Sequence, residues 1–377
     1  MHRRWLLVGI AIGTIVAAPG TARAASSGYV QRAVLVPPRI PGQFGLVSDI
    51  VFADAASHRV YLADDANAQV DVWNTRTRTF LGAMSGGFTG EMGFPSSFDN
   101  LGPDGVLVDG LGQIWAGNGD GTVKVGAASP PFAETDSVAT GGRARADELA
   151  YDPRDQIVIV TNPSETTASS AKPQPKPFVT LISALPDREG HHAVLGHVLI
   201  PGAGLDSVEQ PAWDPQTGDF LISVRETRDF PNGEVAIVDP RAPRLQAVLP
   251  LDVACHPAGI ALGPNHDALL GCDSTPPVII NRATGRIQAD LTGHDACCAD
   301  EVWFNKEDGR YFAAEGGNST IPPSVIVIGA ARRDFLTAIP ISDTSGAFHA
   351  VAASGETTQV FVPESDGIHV FVRTNGA

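Results

Sequence analysis

Seven short segments of this 377-residue chain open on side chains that could do chemistry together. Aligned on the apolar residues that follow, one slot holds Ser48, Asp104, Asp147, Glu209, Ala258, Asp300 and His349. The next slot holds Asp49, Gly105, Glu148, Gln210, Gly259, Glu301 and Ala350. If the segments stand around a common axis, four carboxylates of the first slot meet in one ring. Carboxylates held that close either keep protons or are neutralised by a cation. Hard oxygen donors in number suit Ca²⁺, or another divalent cation such as Mg²⁺. Asp104, Asp147, Glu209 and Asp300 are therefore the candidate metal ligands. In a cation-dependent hydrolase or lyase, Glu148 or Glu301 would serve as general base and His349 as acid. The plainer reading of the same residues is a wet channel whose polar side chains are solvated or tie neighbouring segments together.

Each opening segment is a strand. SDIVFAD (48–54), DGVLVDG (104–110), DELAYDP (147–153), EQPAWDP (209–215), AGIALGP (258–264), DEVWFNK (300–306) and HAVAASG (349–355) alternate or run apolar and end in turn residues. A second strand follows each, as in RVYLAD (59–64) and QIVIVTN (156–162), and then a third, as in QVDVWN (69–74) and EVAIVD (234–239). A fourth follows in six copies, as in RLQAVLP (244–250); the seventh copy lacks it. The first strands recur about every 50 residues, the size of a four-stranded propeller blade. YVQRAVLVP (29–37) precedes the first copy and is the piece expected to complete the last blade. The expected fold is all-β, one seven-bladed propeller over residues 25–377, closed by its N-terminal strand.

In that frame a second polar set falls at the ends of the second strands: Asp64, Asn118, Asn162, Glu226, Asp273, Glu315 and Glu364. With Asp49 these form the candidate binding face, which also carries the long loops 85–103, 163–177 and 225–233. Phe88, Phe94 and Phe98 of the first loop either cover a pocket or pack on the rim. All four cysteines map to this face. Cys255 and Cys272 bracket a hairpin, so a disulfide between them fits. Closing that loop would stabilise by roughly 3 kcal/mol. Cys297 and Cys298 are adjacent; three connectivities are open, and a soft metal site of Cys255, His256, Cys297, Cys298 and His294 is the competing reading. His191, His192 and His197 in EGHHAVLGHV are either transition-metal ligands or solvent-facing.

VIVTNP (158–163) resembles the signature of the YVTN-repeat β-propellers, and EVAIVDPRAPRLQAVLPLDVACHPAGIALGPN (234–265) resembles their repeating unit. PVIINRATGRIQADLTG (277–293) repeats its first part. The resemblance implies a propeller of exported bacterial proteins and no single chemistry. By architecture the chain is also distantly similar to the regucalcin and gluconolactonase propellers. Their metal-binding Asn before Gly-Ile is replaced here by Ala258.

The chain opens MHRRWLLVGIAIGTIVAAPGTARAASS, a basic start, a short apolar run and Ala-Arg-Ala. This reads as a signal peptide over 1–24, with Sec and twin-arginine routes both open and no membrane span after cleavage. Losing Arg3, Arg4 and Arg23 with a leader that holds no Asp or Glu takes the formal charge from −16 to −19. So acidic a protein is not a nucleic-acid binder by charge. The reading that follows is a periplasmic or secreted monomer that binds a partner protein or small ligand through its acidic loop face. The alternative is the lactonase-like, divalent-cation-dependent hydrolase or lyase. No G-x-S-x-G, phosphate loop or H-E-x-x-H occurs.

Overall fold

Alternating apolar residues make a strand with one buried face, and repeating four such strands stacks sheet on sheet. The computed structural model describes residues 28–38, 46–90, 101–164, 176–294, 296–318, 320–342, 348–355 and 357–374. The expected leader, and with it the cleavage site after Ala24, lies outside them, as do Phe94 and Phe98. The described residues form 28 strands in seven antiparallel sheets of four, and no helix. Blades 1 to 6 each take four consecutive strands. Their inner strands are β2 (Ser48–Asp54), β6 (Val106–Val108), β10 (Leu149–Asp152), β14 (Val208–Trp213), β18 (Pro257–Leu262) and β22 (Ala299–Asn305). Blade 7 combines β26 (Ala352–Ser354), β27 (Gln359–Glu364) and β28 (Gly367–Arg373) with β1 (Tyr29–Leu35). β1 pairs antiparallel with β28, Tyr29 opposite Arg373 and Leu35 opposite Ile368, so the ring closes as expected.

Seven clusters of buried side chains fill the gaps between neighbouring blades. Trp73, Val51 and Phe361 sit between blades 7 and 1, for example, and Tyr311, Leu269 and Ile326 between blades 5 and 6. Burying each large apolar side chain contributes about 1.5–3 kcal/mol, so the ring is held by its gaps. The outer strands are polar on the solvent face, as in the exposed alternation of Glu134–Ala139.

Close approach near the axis depends on glycine. A Cβ on Gly105 would lie 2.4 Å from the Asp147 carbonyl, and one on Gly259 would lie 2.4 Å from that of Asp300. These positions bring each inner strand against the next. Adjacent inner strands also bond directly: Glu301 N–H donates to His349 O at 3.0 Å, and Ile50 N–H to Asp104 O at 3.4 Å.

Candidate functional site

The starts of the inner strands are irregular. In blades 1, 4, 5 and 6 the pairing with the second strand slips, between Ser48 and Val51, Val208 and Pro211, Pro257 and Ile260, and Ala299 and Val302. Such bulges re-aim a side chain, and here they turn the polar residues toward the axis. They also correct the alignment by one residue in blade 1. Counting back from the hairpin pairs Asp54–Arg59, Asp152–Ile157 and Asn305–Arg310, the equivalent of Asp147 and Asp300 is Asp49, not Ser48. The ring is therefore Asp49, Asp104, Asp147, Glu209, Ala258, Asp300 and His349.

Asp104, Asp147 and Glu209 are 2–4 % exposed. Three cations from the chain itself stand against the ring. Arg145 lies 3.2 Å from Asp147 and 3.5 Å from Asp206. Arg225 lies 3.0 Å from Asp273, 3.5 Å from Glu209, and 3.6 Å from both Asp300 and Asp206. His349 Nε2 is 2.7 Å from Asp49 Oδ1. Burial pulls the His349 imidazole down, but the hydrogen bond and charge of Asp49 prevail and push it up to about 9. Asp49 is correspondingly held low, against its burial. Asp104, Asp147 and Glu209 go the opposite way. Burial raises Asp147 to about 7 despite Arg145. Burial and the neighbouring Asp65 raise Asp104 well above the usual range, and burial raises Glu209 likewise despite Arg225. The ring thus retains protons and also recruits internal cations, the two ways of relieving crowded carboxylates. Asp104 Oδ2 and Asp65 Oδ1 are buried without a hydrogen-bond partner among the described residues. Nor do any three His, Cys, Asp or Glu side chains, among those residues, converge closely enough to hold a metal ion.

One layer further in, Glu148 of blade 3 and Glu301 of blade 6 meet across the channel; burial raises both carboxyls well above the usual range, helped by the charge of Glu301 at Glu148 and of Asp300 at Glu301. Gln210 is fixed between them and blade 5: its Nε2 donates to Glu301 Oε2, and its Oε1 accepts from Ile260 N–H at 2.6 Å.

The second polar set divides. Asp64, Asn118, Asn162, Glu315 and Glu364 occupy equivalent strand ends and are buried. Four of them bond the segment that leads in from the preceding blade. Asn118 Oδ1 accepts from Thr89 N–H at 3.0 Å, Asn162 bridges Thr140 and Thr180, Glu315 accepts from Cys297 N–H at 3.1 Å, and Glu364 accepts from Ser342 at 2.8 Å. Glu226 and Asp273 are not their equivalents, because Val224 pairs with Val208 and Cys272 with Pro257 at those ends. They meet instead in a polar pocket of about 260 Å³ with Asp206, Arg225 and His256. Asp206, Arg145 and Arg225 were not singled out by sequence. Arg225 carried a signal, a positive residue beside strand ends that are otherwise acidic or amide.

Cys255 and Cys272 form a disulfide, and so do Cys297 and Cys298. The soft-metal alternative loses its thiolates, and His294 stacks on Phe335 at 4.3 Å. His191 and His192 both contact Asp136 of blade 2, at 3.1 and 2.8 Å, and His197 contacts the Thr140 carbonyl at 2.7 Å. They clip blade 3 to blade 2. Phe88 packs on the cluster between blades 1 and 2.

The geometry defines a seven-bladed β-propeller with a charged channel mouth. No family model matches the chain, and no curated protein does. Among solved structures it is similar to a chain in the crystal structure of a mitotic checkpoint complex, with a TM-score of 0.64 and 15 % identity over 98 % of each chain. At that identity the likeness shows the whole closed ring as a shared fold, and a shared fold carries no activity with it.

Proposed function

We propose that this protein is an exported binding module of the YVTN-repeat kind whose acidic loop face receives a cationic group, from a partner protein or a small ligand. The observation that carries the reading is the charge balance at the channel mouth. Asp49, Asp65, Asp104, Asp147, Asp206, Glu209, Asp273 and Asp300 gather there against Arg145, Arg225 and His349. An entering ammonium or guanidinium would find carboxyl oxygens without donors at Asp104 and Asp65. It would also allow the ring to release protons it holds through crowding. The two disulfides support an oxidising compartment. Propellers commonly bind proteins on one face, and the solved neighbour comes from a protein assembly.

The test compares the wild type with the Asp104→Asn/Asp147→Asn double variant. Each is used to capture partners from the exported fraction at low and at raised salt, and each is titrated with Ca²⁺, Mg²⁺ and Zn²⁺ by calorimetry. Capture by the wild type that weakens with salt and is lost in the variant is the expected result. Equal capture by both proteins would overturn the reading. Hydrolysis of a lactone that requires both Asp147 and an added divalent cation would replace it with the hydrolase alternative.

A further inference from the structure

Beneath the ring, on the side away from the loop face, the channel widens into a cavity of about 470 Å³. This lies within the range of small-molecule sites, roughly 300–1,000 Å³. Its inner end is made by Glu148, Gln210 and Glu301, and none of Asp49, Asp104, Asp147, Glu209 or Asp300 lines it. From there it runs along the inner strands toward Pro153, at the turn that leads to the second strand of blade 3, and so toward the face opposite the long loops.

The walls are aromatic for a reason visible in the sequence. In the register of Phe52 and Trp303, blade 7 between them carries Ala352, too small to keep them apart. Phe52 of blade 1 and Trp303 of blade 6 therefore meet across it, ring centroids 5.5 Å apart and nearly edge to face. Tyr151 and Trp213 line the cavity nearer its outer end and are half-buried. A solvent channel would need no such lining. Half-buried aromatic rings around a cavity that ends in two carboxyls match a ligand with an apolar body and a cationic head. The rings can pack on the body and attract the cation through their faces.

The inner end specifies the head further. Glu148 and Glu301 are each 5 % exposed, and their side chains interact across the channel. Gln210 has both ends of its amide committed, so it holds Glu301 in place. An ammonium carries three donors on a compact charge. Placed between the two carboxyls, it can donate to both and balance their charge. A neutral hydroxyl has a single donor and cannot.

We infer that the channel cavity is a binding site for a small organic amine, with the protonated amino group between Glu148 and Glu301 and an aryl or alkyl body against Phe52 and Trp303. Binding is an exchange of cations. The Glu148 carboxyl loses its proton to solvent as the ammonium enters, and no bond of the ligand changes. The ligand comes from the face opposite the loops, so this site is separate from the one proposed above.

The probes are tryptamine, 2-phenylethylamine and hexylamine, each set against the alcohol of the same carbon skeleton. Binding to the full mature chain is followed by calorimetry in buffers of different ionisation enthalpy and by tryptophan emission. At least one amine is expected to bind tenfold or more tightly than its alcohol, with about one proton released per amine bound. Glu148→Gln, which can still donate a hydrogen bond to Glu301 and so should fold, is expected to weaken amine binding at least tenfold and abolish the proton release. Glu301→Gln should weaken it similarly, and Trp303→Ala should lower affinity for aryl amines most. Asp104→Asn, at the loop-face ring, should weaken amine binding far less than Glu148→Gln. Equal binding of amines and alcohols, no binding of any amine by the folded protein, or a loss in Asp104→Asn as large as in Glu148→Gln would overturn the inference. The last result would move the cation to the loop face.

Discussion

Glu315 offers a sharp test of how the propeller handles buried charge. Its side chain is fully buried, Oε2 accepts from Cys297 N–H, and Oε1 has no hydrogen-bond partner among the described residues. Burial, only partly opposed by that N–H, pushes its carboxyl from 4.5 up to about 8. A carboxyl raised in this way binds its proton more tightly in the folded state. Its contribution to stability is fully present below the unfolded value and is lost as pH rises through the window from about 4.5 to about 8. At about 1.36 kcal/mol per pKa unit, linkage gives a loss of about 3 kcal/mol between roughly pH 5.5 and pH 8.5. Glu315→Gln is nearly isosteric, keeps an acceptor for Cys297 N–H and does not titrate. Urea unfolding of both proteins at several pH values gives a difference curve in which the ring carboxyls, present in both, largely cancel. The variant should match the wild type near pH 5.5 and exceed it by about 3 kcal/mol near pH 8.5. A difference that stays flat with pH, or that favours the wild type at high pH, would refute the reasoning.

Two further outcomes follow from the same geometry. The His349 imidazole should titrate by NMR near pH 9, and Asp49→Asn should bring that midpoint down, because burial is then opposed only by the charges of Asp300 and Glu301. Arg282 and Asp214, each with a side chain 4 % exposed and 2.9 Å apart, join blade 5 to blade 4. Arg282→Met should cost about 3–5 kcal/mol in urea unfolding by leaving Asp214 buried and unpaired. The Arg282→Met/Asp214→Asn double variant should recover part of that loss.

The blades were legible because alternation is a local property: each strand announces its buried face within six residues. Ring closure was legible too, since a seventh copy without its outer strand matches a spare strand at the other end. The ring register was not. SDIVFAD offers two polar starters, Ser48 and Asp49, and only the bulge in the pairing tells which one joins Asp147 and Asp300. The buried strand-end residues misled for a related reason. Asn162 and Glu315 have the same side chains whether they face solvent or bond the segment that leads in from the preceding blade. Arg145 with Asp206, and Glu148 with Glu301, are partners only because the ring carries distant segments to one axis. No spacing in the chain records that. The Glu148–Glu301 pair in particular needed the channel's far wall to be seen.

The seventh blade is assembled from both ends of the described chain. Gly28 O accepts from Thr374 N–H at 2.8 Å, beside the six-pair ladder of β1 and β28. Loop closure over so many residues is entropically expensive, and long-range strand pairing is slow. β1 must therefore wait, unpaired, for β28. Until residues 367–373 arrive, six finished blades form an open arc with an uncovered apolar sheet face at each end, a form prone to associating with its neighbours. Maturation of this protein is then an all-or-nothing clasp, and a chain interrupted anywhere before Gly367 leaves no smaller version of the ring.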